Sequence, residues 1–314
     1  MSAAPALFTL TGNLLWERTL EFDAWTPGKT QRARTESFQV GGKGINVSKM
    51  LNRLGTANTA LCFTGGATGT GCIDWLRAHG FTHETFSTRE ATRLGVVIRA
   101  PGQRETTFLG TDTPPDAQAM RHCAEFLEAR LTAGSALALC GSFPGWDTPA
   151  AKTLRETLDR LIPQTTICAD TYGPLLTWLV ERPVALVKIN RDEFDLLFTA
   201  VERDRPLLDR LTEARKRWAV RSWIITDGPR EVTFTTADTR PASLTPPVVE
   251  EVSATGSGDV LFASVLHALL IKRLALADAV AFALPFASAN AASAGIADFD
   301  LNNFSSKRSF QLHE

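Results

Sequence analysis

Short apolar runs that alternate with amphipathic helical patterns constrain the fold of this chain more than any other feature of its sequence. Five of these runs lack the polar alternation of a strand with one solvent-facing side, so we predict strands that are buried on both faces. They are residues 59–66, 136–142, 165–171, 184–190 and 222–228. Helical patterns lie between them, as in 43–54, where Val47, Met50, Leu51 and Leu54 recur at helical spacing. The alternation predicts an α/β fold with a doubly wound, mostly parallel sheet flanked by helices, in which ligands bind at the carboxyl ends of the strands.

Two segments, 16–40 and 92–110, depart from this alternation because they are polar and β-like, with little to bury. The second contains Pro101-Gly102, a turn signal that predicts a hairpin. Together the segments could form a small β-sheet lid over a site, and ordinary surface excursions explain the pattern equally well. The 314 residues are predicted to form a single domain, 1–314, into which these segments are inserted.

The composition argues against several classes of protein. The formal net charge of −1 leaves no global basic field for nucleic acid or a membrane surface. The five cysteines are scattered without a C-x-x-C pair, as expected of reduced thiols in a cytoplasmic protein. The N-terminus lacks the regions of a signal peptide, and Asp278 and Pro285 interrupt the apolar stretch 275–294, so we expect no membrane span.

A glycine-rich stretch at 64–71 (TGGATGTG) follows a predicted strand and would suit a pyrophosphate at a helix N-terminus. The matching dehydrogenase chemistry needs a Tyr-x-x-x-Lys pair, but the single tyrosine, Tyr172, is followed four residues later by Leu176. We therefore interpret the stretch as a tight turn that packs a helix against the sheet, with a dinucleotide site as the weaker alternative.

A second glycine motif, 40–47 (VGGKGINV), opens a helical pattern. Gly41 and Gly42 leave the backbone open to a ligand, Lys43 adds a positive charge, and Asn46 offers a donor and an acceptor to a polyol. The pattern is compatible with a polyol site, although a glycine-rich helix start without a ligand is the slightly simpler interpretation.

Residues 187–193 (VKINRDE) end a predicted strand and begin a helix. Asn190 is the predicted N-cap, and Glu193 stands three residues later, as in a capping box. The functional alternative is that Asn190 and Glu193 orient waters around a magnesium ion, which keeps most of its hydration shell.

The stretch 255–259 (TGSGD) runs into an apolar helix pattern near the C-terminus. The amides of Gly256, Ser257 and Gly258 would form a concave set of donors at the helix N-terminus, with Asp259 at its edge. A first-turn aspartate usually contributes only about 0.3–1 kcal/mol through the helix dipole. The alternative is an anion hole with a catalytic base beside it.

Taken together and in order, these motifs resemble those of the ribokinase-like (PfkB) carbohydrate kinase family. VGGKGINVSKMLNRLG resembles the N-terminal signature of that family, and EEVSATGSGDVLFASVLHAL resembles the C-terminal signature. CGSFPG, ADTYGPLL and VKINRDEF resemble segments between the two, so the resemblance covers nearly the whole chain. GGKGINV and Thr92-Arg93 are most similar to the branch that contains 1-phosphofructokinase and tagatose-6-phosphate kinase.

The resemblance implies ATP-dependent transfer of the γ-phosphoryl group to a hydroxyl of a sugar or sugar phosphate. Asp259 would accept the hydroxyl proton, and the amides of Gly256, Ser257 and Gly258 would hold the charge that develops on the transferring group. The implied substrate-binding residues are Asn13, Glu17, Lys29, Gly41, Gly42, Lys43, Asn46 and Arg93, of which the last binds the substrate phosphate. The implied nucleotide-binding residues are Lys188, Asn190, Thr226, Gly228, Gly256 and Gly258. Asn190 and Glu193 would place Mg²⁺ through water molecules.

The same resemblance implies that the two inserted segments close over the site and exclude water. It also implies a homodimer formed through them, for which Phe22, Trp25 and Phe38 would supply exposed apolar side chains; the alternative is that these residues only cover the site.

Three departures from the family pattern affect the ligand sites: Glu17 replaces an aspartate, Gly95 an asparagine and Glu231 a glycine. Two alternatives therefore stay open. One is a kinase for an unphosphorylated sugar or nucleoside, and the other is a protein of this fold that binds a sugar phosphate with little turnover.

Overall fold

The computed structural model describes residues 5–301, so residues 1–4 and 302–314 of the predicted domain lie outside the described part. The strands are β1 (Leu7–Thr11), β2 (Leu15–Glu21), β3 (Thr35–Gly41), β4 (Thr59–Thr64), β5 (His83–Ser87), β6 (Arg93–Arg99), β7 (Thr106–Leu109), β8 (Ala136–Cys140), β9 (Thr166–Asp170), β10 (Leu186–Asn190), β11 (Ser222–Thr226), β12 (Val232–Thr236) and β13 (Ala242–Leu244). The α-helices are α1 (Lys43–Arg53), α2 (Gly66–Ala78), α3 (Ala117–Arg130), α4 (Lys152–Leu161), α5 (Pro174–Val180), α6 (Arg191–Asp195), α7 (Ala200–Arg203), α8 (Leu207–Arg217), α9 (Ser257–Leu270) and α10 (Leu276–Ala291).

The larger sheet has nine strands in the order β13-β12-β11-β10-β9-β8-β1-β4-β5. All neighbours from β5 to β11 pair in parallel, and β12 and β13 add an antiparallel edge. The predicted doubly wound, mostly parallel sheet is confirmed, and the five predicted runs correspond to β4, β8, β9, β10 and β11. The interior strand β1 (LFTLT) was not predicted, because its two threonines break the apolar run although all five of its residues are buried.

Apolar layers cover both faces of this sheet. In β8, Leu137 and Leu139 face a cluster built with helices α3, α4, α5, α6 and α8. Ala138 and Cys140 face the opposite cluster, which contains α1, α9 and α10. Helix α1 packs directly on β1, β4 and β8, helix α10 packs on β12, and α9 packs on both of these helices. The N-termini of α1 and α9 consequently lie at the same end of the sheet, where the parallel strands end.

The two irregular segments form a separate four-stranded sheet in the order β3-β2-β6-β7. The predicted hairpin is present as β6 and β7, with Pro101 and Gly102 in the turn between them. The ring of Trp16 packs on that of Phe38, with centroids 4.0 Å apart. A Cβ at Gly71 of α2 would lie 1.7 Å from the Trp16 ring, so this helix and the small sheet are in close contact.

The apolar surface of the small sheet differs from the prediction. Phe22 is buried, and Trp25 and Phe38 are half-buried; the ring of Phe38 is covered in part by that of Trp16. The large exposed apolar side chains of this sheet are instead Leu94, Phe108 and Leu109.

The glycines of the 64–71 stretch have packing roles. A Cβ at Gly65 would lie 1.9 Å from the carbonyl oxygen of Glu90, and Gly71 faces Trp16. These contacts support a tight packing turn rather than a dinucleotide site. Within residues 5–301, no helix has the length and apolar character required to cross a bilayer.

Candidate active site

The two glycine motifs, far apart in sequence, meet at the carboxyl end of the large sheet. Asn46, in the first turns of α1, donates from Nδ2 to Oδ2 of Asp259 in α9 at 2.7 Å. Asp259 is buried, although it lies in the first turn of its helix. A buried, hydrogen-bonded carboxylate at this place differs from an ordinary surface carboxylate that only balances a helix dipole.

The start of α9 requires glycine for two reasons at Gly256. Its φ of 78° is in the left-handed region, and a Cβ there would lie 2.5 Å from Cγ2 of Ile296. The Ser257 N–H donates to the carbonyl of Ala254 at 3.2 Å, so the predicted donor role of Ser257 is not available in this conformation. Within the described residues, the N–H groups of Gly256 and Gly258 have no hydrogen-bond acceptor, so these two amides remain of the three predicted for an anion hole.

Asn290 of α10 holds this turn from behind. Its Nδ2 donates to the Thr255 carbonyl at 2.9 Å and to Oγ of Ser257 at 3.0 Å, and its Oδ1 accepts from the N–H of Ala297 at 2.7 Å. No sequence motif predicted this role of Asn290. The only available signal was a polar residue within the apolar 275–294 stretch, and such a residue has many structural uses.

A fully buried carboxylate, Asp170 at the end of β9, joins two lysines beneath the site. Lys43 donates to its Oδ1 at 2.8 Å and Lys188 to its Oδ2 at 2.7 Å. Burial alone would raise the pKa of Asp170, but the attraction of Lys188 and Lys43 outweighs burial and lowers the pKa. Burial opposes the charge of Lys43 in the same way, but Asp170, Asp259 and Glu193 raise its pKa above the ordinary value. Asp170 and Lys43 therefore remain ionised.

Lys188 lies directly below the anion hole. A Cβ at Gly258 would be 2.7 Å from the Lys188 Nζ, so the glycine leaves the space that the ammonium group occupies. The predicted involvement of Lys188 in a phosphate site is compatible with this position.

The pKa of Asp259 is raised to about 6. Burial is the largest cause, Lys43 opposes it, and the negative charge of Asp170 adds to it. A carboxylate with a pKa near neutrality is a stronger base than an ordinary aspartate and is still deprotonated at physiological pH.

A second polar group lies where β1 and β8 end and β6 begins. Asn13 donates from Nδ2 to Oδ1 of Asp112 at 2.8 Å and to Oγ of Ser142 at 2.9 Å. Nη1 of Arg93 donates to the same Asp112 oxygen at 3.0 Å. The structure thus brings the predicted Asn13 and Arg93 together, and it adds Asp112 and Ser142, which the sequence analysis missed.

Glu17 and Gly41 meet on adjacent strands of the small sheet. Glu17 of β2 accepts a hydrogen bond from Gln39 of β3, and a Cβ at Gly41 would lie 3.2 Å from its Oε2. Burial raises the pKa of Glu17, the Gln39 hydrogen bond opposes this rise, and Glu105 adds to it. Gly42 has a φ of 124° and precedes α1, with Thr11 of β1 directly against it.

Lys29 is separate from this group. It lies on the exposed connection between β2 and β3. In the described part of the chain, no hydrogen bond or ion pair connects it to the predicted substrate-binding residues.

Asn190 and Glu193 form the capping box predicted from the sequence. The Glu193 N–H donates to Oδ1 of Asn190 at 2.8 Å, and the Asn190 N–H donates to Oε2 of Glu193 at 2.9 Å. The second oxygen of Glu193 lies 3.6 Å from the Lys43 Nζ. Residues 5–301 contain no cluster of three His, Cys, Asp or Glu side chains suited to a metal. This donor set fits a magnesium ion that is held mainly by water and phosphate oxygens.

The end of β11 presents an ion cluster that the sequence analysis did not identify. Asp227, between Thr226 and Gly228, accepts hydrogen bonds from Arg191 at 3.2 Å and from Nε of Arg230 at 2.9 Å. The hydrogen bond from Arg230 is the largest cause of the lowered pKa of Asp227. The end of β11, where Thr226 and Gly228 are predicted to bind the nucleotide, therefore carries a cluster of charged side chains.

The small sheet contacts the anion-hole turn through its hairpin. Oγ1 of Thr255, next to Gly256, donates to Oε1 of Glu105 at 2.9 Å. Arg99 donates to the other oxygen of Glu105 at 2.7 Å. The small sheet therefore reaches across to the α9 side of the cleft.

Residues 11–301 match the pfkB family carbohydrate kinase. A protein of Borreliella burgdorferi named 1-phosphofructokinase is 25% identical over 293 residues, which cover 93% of this chain and 94% of the relative. A protein of Bacillus subtilis with the same name is 28% identical over 299 residues, which cover 91% and 93%. The fold is similar to that of phosphofructokinase-2 from Escherichia coli in complex with fructose-6-phosphate, with a TM-score of 0.81 at 21% identity over 92% of this chain and 94% of that chain.

Proposed function

The chain belongs to the pfkB family of carbohydrate kinases, and from this premise we propose that it transfers the γ-phosphoryl group of ATP to a hydroxyl of a sugar phosphate. The observation that carries the proposal is the meeting of Asn46 with a buried Asp259 whose pKa is raised to about 6. A base next to two free amides at a helix N-terminus matches what phosphoryl transfer needs.

In this mechanism the acceptor hydroxyl gives its proton to the Asp259 carboxylate while its oxygen attacks the γ-phosphorus. The bond from that phosphorus to the β,γ-bridging oxygen breaks, and ADP leaves with the electron pair. The amides of Gly256 and Gly258 donate to the oxygens of the transferring group, where negative charge develops. The helix dipole of α9 adds positive potential at the same place.

The ammonium groups of the half-buried Lys43 and the buried Lys188 supply fixed positive charge beside the proposed anion hole. Asp170 holds both of them, so the cations are in place before the substrates bind. Such preorganised charges cost little reorganisation during the reaction. Asn190 and Glu193 would hold Mg²⁺ through water, and the ion would neutralise charge on the nucleotide phosphates.

The acceptor is proposed to bind between the anion hole and the small sheet. Gly41, Gly42 and Asn46 line the end nearest Asp259, and Arg93 lies at the far end with buried Nε and no partner for it among residues 5–301. Its Nη1 donates to Asp112 and its Nη2 to the main-chain carbonyl of Asn13, and the second N–H of each of these nitrogens can donate to a phosphate group. Glu17 is proposed to accept from a sugar hydroxyl, and Lys29 remains a predicted phosphate contact of the β2–β3 connection.

The nucleotide is proposed to lie along the ends of β10 and β11, beside Asn190, Thr226 and Gly228. The small sheet, with its insertions at about 16–40 and 92–110, is proposed as a lid that excludes water from the phosphoryl group. The contact from Glu105 to Thr255 supports this proposal, because it ties the hairpin to the turn that carries Gly256.

Two finer features are proposed in addition. The exposed Leu94, Phe108 and Leu109 support a homodimer formed through the lid sheets. The five free cysteines are all buried, which is compatible with a cytoplasmic protein.

The test is ADP formation from ATP and magnesium with a panel of acceptors, namely fructose 1-phosphate, fructose 6-phosphate, tagatose 6-phosphate, the parent sugars and nucleosides. We expect turnover with at least one sugar phosphate, and a selective loss of its affinity in Arg93→Ala. If Arg93→Ala weakened every acceptor equally, the phosphate would not lie at Arg93.

A kinase for an unphosphorylated sugar or nucleoside is the second candidate, because Asp112 already neutralises Arg93. Turnover confined to uncharged acceptors would favour it. Binding of a sugar phosphate without turnover on any nucleotide would instead favour a binding protein of this fold.

A further inference from the structure

The three-way contact of Asp112 with Asn13 and Arg93 has chemical consequences at the far end of the acceptor site. One carboxylate oxygen, Oδ1, receives hydrogen bonds from both the amide of Asn13 and the guanidinium of Arg93. Asp112 lies in the connection between β7 and α3. Pro114 of the same connection packs on Gly145, close to the loop that carries Ser142.

Asp112 fixes which way the Asn13 amide faces. An ionised carboxylate can only accept hydrogen bonds, so the NH₂ group of Asn13 must face it. The second hydrogen of that NH₂ group goes to Ser142. The carbonyl oxygen Oδ1 of Asn13 is left buried, and it accepts no hydrogen bond within the described residues. A buried carbonyl oxygen without a hydrogen-bond donor is costly in free energy. A hydroxyl group of the bound sugar could donate to it.

Asp112 also changes the charge that Arg93 presents. The Arg93 side chain is 13% exposed and that of Asp112 is 58% exposed, so the guanidinium is largely covered by protein while the carboxylate faces solvent. A phosphate that binds Arg93 must either displace Asp112 or share the cation with a second anion. Either event has a free-energy cost that the binding of an uncharged ligand does not have.

From these contacts we propose that Asp112 sets the charge preference of the acceptor site. It weakens the hold of Arg93 on a phosphorylated acceptor, and it keeps the Asn13 carbonyl available to an acceptor hydroxyl. The inference rests on the proposed function, because it takes the Asn13–Arg93 group as the acceptor site. Asp112 is a positioning residue that acts through both of these side chains.

The test compares the wild type with Asp112→Asn, which keeps the size and one acceptor oxygen but removes the charge. Calorimetry without nucleotide gives the dissociation constants of fructose 1-phosphate and inorganic phosphate. Steady-state assays with ATP give kcat/KM for fructose 1-phosphate and for fructose. We expect about tenfold tighter phosphate binding and a similar rise in the selectivity for fructose 1-phosphate over fructose, as removal of one nearby like charge predicts.

Asp159→Asn is the matched control. It removes an aspartate that is also half-exposed and also pairs with a well-covered arginine, Arg182, at 2.6 Å. Asp159 lies in the last turn of α4, away from the site, so its loss should leave both ratios unchanged. Asp112→Ser also removes the charge but introduces no amide. It should change phosphate binding in the same direction as Asp112→Asn if the charge is the cause.

Each outcome separates the inference from the function on which it rests. Turnover with unchanged or weaker phosphate binding in Asp112→Asn overturns the role of Asp112 alone. Tighter phosphate binding without turnover in either protein supports Asp112 and overturns the kinase proposal. Absence of phosphate binding in both proteins overturns the inference, because Arg93 would then hold no phosphate.

Discussion

The Asp259→Asn substitution removes a charge from the proposed active site with almost no change in side-chain size. It should have opposite effects on activity and on stability. Activity should fall because the amide cannot accept the hydroxyl proton, and general-base catalysis typically contributes about 10²- to 10⁴-fold. Stability should rise, because the substitution removes a buried carboxylate whose ionised form is disfavoured in the folded chain.

The size of the stability gain follows from the pKa of Asp259, which the folded protein raises from 3.8 to about 6. Each pKa unit corresponds to about 1.4 kcal/mol, so ionised Asp259 costs the folded state roughly 3 kcal/mol. Below the unfolded pKa of 3.8 the carboxyl is protonated in both states and costs nothing. As the pH rises through the folded pKa, the cost grows to its full value. The advantage of the variant should therefore be near zero at about pH 4 and complete at about pH 8.

Asp278 provides a matched control, because it occupies the same position in the first turn of α10 that Asp259 occupies in α9. Asp278 is exposed, so its charge only interacts with the helix dipole. Asp278→Asn should lower the free energy of unfolding near neutral pH by about 0.3–1 kcal/mol and leave kcat unchanged.

Urea unfolding from about pH 4 to pH 8 and initial rates at saturating acceptor measure the two effects separately. An Asp259→Asn variant as active as the wild type would refute the assignment of the base. If the variant lost activity but its stability advantage did not grow with pH, the raised pKa would be wrong, and the carboxylate would not be poised by burial.

Three further predictions concern groups around the proposed base. Asn46→Ala removes the hydrogen bond that stabilises the charged base, so the acid limb of kcat at saturating acceptor should move up by about one pH unit, and an unmoved limb would contradict this. Asn290→Ala leaves the Thr255 carbonyl without its donor and loosens the turn at Gly256, so kcat should fall about tenfold with little change in KM; an equal rise in KM would indicate general unfolding instead. Glu105→Ala removes the hydrogen bond between the hairpin and Thr255, so water should reach the phosphoryl group more easily and ATP hydrolysis without a sugar acceptor should increase several-fold. Glu105→Gln should retain most of this contact and show a smaller increase.

The large sheet could be predicted because most of its buried strands appear as apolar runs in the sequence. Strand β8 (ALALC) is apolar throughout, as is typical of a strand that is covered on both faces. Strand β1 shows the limit of this rule, since Thr9 and Thr11 are fully buried and polar at the centre of the sheet. The surface of the small sheet shows another limit, because the burial of Phe22 depends on contacts that no local pattern encodes.

The candidate site could be predicted only where a motif places several functional groups next to one another. Gly41, Gly42 and Asn46 are close together in sequence, so the motif alone was enough to predict a common role for them. Asp112 belongs to none of the quoted motifs, and Asp170 belongs to ADTYGPLL, to which the motif assigned no role; the contacts of both carboxylates come from residues distant in sequence. Each is an acidic residue that sequence reasoning treats as solvated until the structure shows arginine or lysine against it.

The two glycines around Ser257 show why a motif can be recognised before it is understood. The sequence suggested one reason for both, namely open backbone amides for an anion. Gly256 also has a left-handed φ and lies against Ile296, so its requirement is conformational as well as steric. Gly258 has no unusual φ, and its missing side chain leaves room for the Lys188 ammonium. An alanine at either position would therefore fail for a different reason, by strain at the first and by displacement of a buried cation at the second. The motif thus couples a backbone donor set to a lysine from another strand, and the proposed charge stabilisation depends on both.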